Sequence, residues 1–401
     1  MHILYIHQHF ATPSGTTGTR SYEFARRWVG KGHQVTVITG HYDIGGLEYT
    51  KEPQIIDGIE VFIVGAKYSN KQSFFQRIIS FLGFMFLSFW AGLRIKTVDV
   101  IYATSTPLTV GIPAMLLKWL KRVPFIFEVR DQWPEIPIEL GILNNKLLIK
   151  LMLLLEKSIY RSASAIVALS PGMSKGVREV IGEEKIIETI PNSSDTGVFR
   201  PDIDGTNIRR KYGWHEKFVL LHFGAMGKAN SLEFIVDVAD KLKDNTDIHF
   251  VVIGDGATRQ PLLDKIKHLG LNNIELVGSR PKTVLPKYVA ACDVSLVIFA
   301  DYPILEHNSA NKFFDSLGAG KPVLLNYSGW QRDVIENANA GFGCDQCNVD
   351  EFIDRVNYLF ENKTLLNGFG NNARNLAKTE FSRDKLSQKV LSLIESLQKS
   401  P

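Results

Sequence analysis

The segment with the most chemical promise runs His307-Asn-Ser-Ala-Asn-Lys-Phe-Phe-Asp315. Its polar half enters a helix near Ser309, and Lys312 and Asp315, three apart, share one face of that helix. A carboxylate one turn into a helix can accept two hydrogen bonds from a ribose diol, while the N-terminal amides hold the attached phosphates. The competing reading is a surface Lys–Asp pair worth about 0.2–0.5 kcal/mol. Gly318-Ala-Gly320 then ends the helix and Pro322-Val323 opens a strand.

Other loops offer complementary groups. Pro13–Arg20 carries Gly15, Thr16 and Gly18 between a strand and a helix, where small residues let a ligand approach the backbone and free amides meet an anion. It lacks the Gly-x-Gly-x-x-Gly pattern, and no acidic residue closes the next strand, which disfavours a nicotinamide dinucleotide. Gly224–Ser231 is the matching loop of the second half, and its Lys228 could neutralise a diphosphate. Asp131, just beyond an apolar strand, could bind or deprotonate a hydroxyl, or simply pair with Arg130. Cys344-x-x-Cys347 has no second ligand pair nearby, so metal and redox roles are set aside.

Elements that would position these residues alternate short apolar runs with amphipathic ones. Strands are expected at 2–7, 34–39, 60–64, 98–103, 124–129, 165–169 and 186–190, with helices between them. After the turn-rich stretches 191–195 and 201–205 the pattern restarts with strands at 218–223, 248–253, 274–277, 294–299 and 322–326. Alternation of this kind predicts two Rossmann-like, doubly wound parallel-sheet α/β domains, 1–195 and 196–380, with ligands in the cleft between them. The amphipathic helix 381–401 is expected to pack back toward the first domain and brace the two.

The chain has 401 residues, 22% of them charged, and a formal net charge of +4, ordinary values that exclude disorder and give no sign of a nucleic-acid binder. Charge is uneven: residues 67–161 hold thirteen basic and six acidic residues and are also the most apolar stretch. The uncharged run 78–93 is short for a membrane span, which needs about 20 residues. It reads instead as a helix lying on a membrane surface, with Phe81, Phe84, Phe89 and Trp90 at the interface, joined by Lys118, Trp119, Lys121 and Arg122 of a second basic helix. Plain core packing is the alternative. The opening MHILYIHQHF reads as a strand and not a signal peptide, and three cysteines suit a reducing compartment. The expected location is therefore the cytoplasm, peripheral on the inner face of the cytoplasmic membrane.

Taken in order, the GTTGTR loop, GHQVTVITG, FEVRDQWPE, ALSPGM, IPNSSDTGVF, VVIGDG, VAACDVSLV and NKFFDSLGAGKPV resemble family 4 of the retaining glycosyltransferases, which have the GT-B fold. The pattern is closest to the bacterial O-antigen and capsule branch that includes N-acetyl-fucosaminyl transferases. The resemblance implies a UDP-sugar donor, no metal or other cofactor, and a polyprenyl-diphosphate-linked or other lipid-linked glycan acceptor. It implies that Asp315 takes the place of the second Glu of the family's Glu-x7-Glu motif, on the ribose, and His307 that of the first. Asn308, Ser309, Asn311 and Lys312 then lie near the sugar and diphosphate. Gly15, Thr16, Gly18 and Arg20 contribute from the first domain, and Gly224, Gly227 and Gly254 from the loops of the second. Ala225 occupies the usual arginine position, leaving Lys228, Arg280 and Lys282 to meet the diphosphate. Asp131, Lys228 and His307 are the expected catalytic residues. A UDP-GlcNAc 2-epimerase of similar fold and a two-lobed sugar-binding protein are the competing readings.

Overall fold

Short apolar runs rich in β-branched and aromatic residues, each closed by a glycine or polar turn, build two separate sheets. The computed structural model describes residues 1–398 except 16, 17, 43, 51, 68–71 and 73, with only the backbone at 74 and 75. The chain divides into two compact units: Met1–Pro191 with the segment from Arg383 onward, and Asn192–Ser382. Residues 192–195, placed with the first domain by their turn-rich sequence, go with the second unit, where the Ser194 amide donates to the Phe381 carbonyl at 2.8 Å.

The first unit holds strands β1 (His2–Ile6), β2 (Gln34–His41), β3 (Gln54–Ile56), β4 (Ile59–Lys67), β5 (Val100–Thr104), β6 (Phe125–Val129), β7 (Ala165–Ala168) and β8 (Ile187–Thr189). They are ordered β3-β4-β2-β1-β5-β6-β7-β8. All neighbours are parallel except β3 and β4, a departure from the expected purely parallel sheet. Only Asp57-Gly58 joins that pair, both with positive φ (48° and 77°), and a two-residue link of this type closes a hairpin. Helices α1 (Arg20–Val29), α2 (Phe74–Arg94), α3 (Gly111–Lys121), α4 (Glu135–Glu139), α5 (Lys146–Ser162) and α6 (Pro171–Ile181) cover the sheet. Strands β1, β5, β6 and β7 are buried along their whole length, as expected where both faces are covered.

The second unit holds α7 (Thr206–Tyr212), β9 (Phe218–Phe223), α8 (Glu233–Lys241), β10 (Ile248–Ile253), α9 (Arg259–His268), β11 (Ile274–Val277), α10 (Leu285–Ala291), β12 (Val294–Val297), α11 (Asn311–Gly318), β13 (Val323–Leu325), α12 (Trp330–Asn337), β14 (Gly341–Gly343), α13 (Val349–Glu361) and α14 (Lys363–Thr379). Its six strands are parallel, in the order β11-β10-β9-β12-β13-β14. The last helix, α15 (Arg383–Gln398), returns to the first unit. Its Leu386, Val390, Leu391 and Ile394 join a core with Phe24 and Trp28 of α1, and the Trp28 indole donates to the Ser387 carbonyl at 3.2 Å.

Strand order reverses beside β1 in one sheet and beside β9 in the other. In open α/β sheets the loops beyond such switch points receive ligands.

Candidate functional site

In the second unit, β9 ends at Phe223 and its loop packs directly on the loop that follows β10. The Gly224 amide donates to the Ile253 carbonyl at 2.9 Å, and the Met226 amide to the Asp255 carbonyl at 2.9 Å. Gly254 adopts φ +156°, and a methyl group on it would stand 1.9 Å from the Gly224 carbonyl oxygen. The glycine therefore serves the packing of one loop on the other. Gly254→Ala is expected to cost at least about 2 kcal/mol of stability, checked by urea unfolding, because strain and overlap add at one position. Gly227, by contrast, has open space where a methyl group would go.

Lys312 leaves the first turn of α11 and Asp315 the next, and each meets a partner from another element. The helix is capped by Ala310, in extended backbone, which offers no side-chain oxygen to the N-terminal amides. That leaves a helix terminus suited to an anion. Asp315 is buried and lies 3.3 Å from the Lys282 ammonium, itself 5.6 Å from the Phe199 ring centroid. The Lys312 amine lies 3.0 Å from His222 Nε2 on β9 and 3.0 Å from Asn230 Oδ1, and its stem passes under Gly224. Burial pushes this amine down to about 7, and burial followed by the Lys312 charge holds the His222 imidazole well below its ordinary range.

The remaining residues expected here divide. Lys228 is exposed in the β9 loop, while His307 and Asn308 are half-buried at the end of a short 3-10 turn, Pro303–His307. The Asn308 carbonyl accepts the Trp330 indole N–H at 2.9 Å. Asn311 opens α11. Ser309 is committed elsewhere: its hydroxyl accepts the Asn192 amide at 2.9 Å and its carbonyl accepts the Asn192 side chain, a correction to the expectation of an open donor contact. Arg280 places Nε 2.9 Å from the Tyr288 hydroxyl and a terminal nitrogen 3.2 Å from that of Tyr212, apart from the Lys282–Asp315 pair. His222 and Asn230 were not anticipated. A lone histidine inside the apolar run Phe218–Phe223 was the available signal for the first.

In the first unit, polar groups gather beyond β1, β5 and β6. His7 bonds Ser21 through Nδ1 at 2.6 Å and meets Arg130 through Nε2 at 3.1 Å. Asp131 accepts the Thr106 hydroxyl. Gly15 is buried and Gly18 half-buried, and Thr16 lies outside the described residues. Arg20 corrects an expectation. Only 2% exposed, it pairs with Glu128 at 2.9 Å and donates to the carbonyls of Ile190 (3.0 Å) and Pro191 (2.6 Å), so its guanidinium is engaged inside the unit. Tyr102 and Thr104 complete the shell of Glu128 at 2.7 and 2.8 Å. Burial, then the Arg130 charge, pushes His9 down to about 4, and His7 is lowered for the same reasons. A base with its pKa depressed by folding stabilises the native state above its unfolded value and loses that contribution as pH falls through the folded one. Thermal unfolding temperature is therefore expected to drop between about pH 6.5 and pH 4.

Helices α2, α3 and α5 pack side by side on one face of the first sheet. Ser80, Phe84, Ser88 and Gly92 recur every fourth residue on the buried side of α2, and a methyl group on Gly92 would reach within 2.5 Å of Leu117. Phe84 is thus core, correcting its placement at an interface, and Phe81 and Phe89 are half-buried. Ile79, Leu82, Phe86 and Trp90 face outward, with Leu116, Leu120 and the 79%-exposed Trp119 on α3 and Leu147, Leu151 and Leu154 on α5. Lys118 and Lys121 are also corrected. Their ammonium groups, lowered by burial, bond the carbonyls of Ser162 and Ile95, near the ends of α5 and α2. Arg94, Arg122, Lys146 and Lys150 remain exposed beside the apolar face. Residues Gln76–Arg94 are long and apolar enough to cross a membrane by length and composition alone, and 22% of the most apolar stretch is buried.

Two family profiles follow the two units: "Glycosyl transferase 4-like domain" matches residues 15–193, and "Glycosyl transferases group 1" matches residues 204–376. The second unit thus matches the group 1 glycosyltransferases and the first a glycosyltransferase 4-like domain. Among curated proteins it is 21% identical over 226 residues to the N-acetyl-alpha-D-glucosaminyl L-malate synthase of Bacillus anthracis, covering 56% of this chain and 57% of that one. It is 26% identical over 129 residues to the putative colanic acid biosynthesis glycosyl transferase WcaI of Escherichia coli, covering 31% of each. The matches thus span about half, or less, of these relatives' own length. Among solved structures, sucrose-phosphate synthase from Thermosynechococcus elongatus aligns with a TM-score of 0.79 at 14% identity, over 99% of this chain and 98% of that one. Anabaena HepE in complex with UDP-glucose aligns with a TM-score of 0.72 at 18% identity, over 99% and 100%. At these identities the likeness establishes the fold, which is GT-B.

Proposed function

We propose that this glycosyltransferase moves a sugar, of the N-acetylated amino or deoxyamino class, from a UDP-sugar to a lipid-linked glycan in bacterial surface polysaccharide synthesis, with retained anomeric configuration. The observation that carries the reading is that the uncapped helix α11, at the switch point of the unit matched to group 1, carries Lys312 in its first turn and, one turn on, Asp315 paired with Lys282. Asp315 suits a ribose diol; Lys282, Lys312 and Lys228 suit a diphosphate. The bond from the anomeric carbon to the diphosphate oxygen breaks while one to the acceptor hydroxyl oxygen forms, and the hydroxyl proton passes to the departing diphosphate. Cations and helix amides stabilise the charge that builds there, so the reading includes no metal. HepE, seen with UDP-glucose, and WcaI, assigned to colanic acid biosynthesis, support donor and pathway class. Thermal protection by a panel of UDP- and GDP-sugars tests it: UDP-sugars should raise the unfolding temperature, and protection by GDP-sugars alone would refute the donor class.

The same reading places the protein on the cytoplasmic face of a membrane, through the exposed apolar residues of α2, α3 and α5 and their flanking basic residues. Trp119→Ser is expected to weaken sedimentation with anionic phospholipid vesicles about tenfold, since burying one large aromatic contributes about 1.5–3 kcal/mol. Equal binding of the variant would remove that face from the account.

A further inference from the structure

Among the described residues Lys312 has no counterion. Its amine is held by neutral groups, His222 Nε2 and Asn230 Oδ1, each at 3.0 Å, and lies 5.6 Å from the Phe299 ring centroid. Among the described residues no carboxylate pairs with it. The nearest acid on its own helix, Asp315, is turned to Lys282. From α14, Arg374 bonds the Gly318 carbonyl at the far end of α11, and β12 and β13 bring no titratable side chain. His222 is the titratable group that faces the amine from β9, and Lys228 is exposed on the adjoining loop. A mostly buried ammonium in such a setting is disfavoured until an anion arrives. The loop backbone comes closest to the amine at Gly224, whose missing side chain leaves the Lys312 Cε and Nζ within 3.2 and 3.4 Å of where a methyl group would stand. Arginine is absent from this loop, where Ala225 stands instead.

We infer that Lys312 is the cation that receives the donor diphosphate, and that donor binding loads one proton onto its amine while donor or UDP release returns it. This rests on the proposed donor class and adds to it a coupling: above neutral pH the empty site holds a mostly neutral amine, and the diphosphate is what makes its charged form favourable. The lowered amine, at about 7 when empty, sets the window. Below that value the amine is already charged and binding takes up little; above it each pH unit of rise should weaken binding about tenfold, until the loaded amine itself titrates. Aiming the amine at the loop is the positioning role of His222, which is neutral and accepts a hydrogen bond from it.

Titration calorimetry with UDP tests this between pH 7.5 and 9, where a terminal phosphate of pKa near 6 is already ionised. At pH 8, in buffers of different ionisation enthalpy, the wild-type protein is expected to take up close to one proton per UDP, and its Kd to rise about tenfold per pH unit. Lys312→Met should take up none, lose the slope, bind at least tenfold more weakly at pH 7 and converge on the wild type at pH 9. UDP binding by the wild type with no proton uptake and a flat Kd overturns the inference while leaving the donor class intact. A slope that persists in Lys312→Met assigns the proton to another group and overturns it as well. Absence of UDP binding at any pH would instead overturn the donor class on which it rests. The wild-type measurement decides the matter even if the variant fails to fold.

Discussion

Arg20→Met is expected to lower the unfolding free energy by about 3–5 kcal/mol at neutral pH, the largest stability effect in the first unit. Arg20 and Glu128 are 2% and 0% exposed, and the pair sits 2.9 Å apart with Tyr102 and Thr104 filling the remaining positions on the carboxylate. Burial opposes ionisation of Glu128, but Arg20 and Arg130 outweigh it and hold the carboxyl below the usual carboxylate range. A carboxyl lowered by folding stabilises the native state above its unfolded value and loses that contribution as pH falls. Without Arg20 the sign reverses, because an isolated buried carboxylate prefers its proton. The variant's deficit should therefore shrink on acidification toward pH 5, and Arg20→Met combined with Glu128→Gln should recover part of the loss. Urea unfolding of the single and double variants at pH 5 and 7.5 measures both trends. A pH-independent deficit would assign the cost to lost packing and lost bonds to the Ile190 and Pro191 carbonyls.

Asp315→Ala should have the largest effect on activity. Two hydrogen bonds from a diol to a buried carboxylate are charge-assisted, at about 1.5–3 kcal/mol each, so kcat/KM should fall at least about 100-fold. UDP affinity should fall with it, because ribose contacts are made in the ground state and the transition state alike. The fold should survive, since Lys282 keeps 14% of its side-chain surface exposed and can relax toward water. Asp315→Asn, which keeps the shape without the charge, is expected to fall between the wild type and the alanine variant. Undiminished UDP affinity in a folded Asp315→Ala protein would remove the ribose from this carboxylate.

The architecture was legible wherever hydrophobic period and turn chemistry agreed. Strands β9, β10 and β11 coincide with the apolar runs that end at Gly224, Gly254 and Gly278. What sequence reading missed are β3, a three-residue edge strand, and β14, which is Gly-Phe-Gly. Neither has the length or propensity to announce itself, and each exists because a neighbour, β4 or β13, supplies the pairing.

Individual residues were legible as charges and shapes, never as partners. Arg20 and Glu128 are 108 residues apart, so nothing near Arg20 reveals that its guanidinium is engaged. Lys118 and Lys121 look like lipid-facing cations in a basic apolar helix; only packing of α3 between α5 and α2 shows the carbonyls that hold them. Phe84 differs from Phe86 by two positions, and it is the direction of the sheet beneath α2 that buries the first and exposes the second. Lys312 and Asp315 could be placed on one helical face, but the histidine and lysine that meet them come from β9 and from the loop after β11.

The central claim is sugar transfer with retention, and its most direct test is the fate of an α-linked UDP-sugar incubated with a polyprenyl-diphosphate-linked acceptor, read by NMR of the product and by UDP release. The account predicts UDP formed one for one with a new glycoside whose anomeric configuration matches the donor, and little UDP without acceptor. UDP release indifferent to acceptor, or a product of inverted configuration, would contradict it.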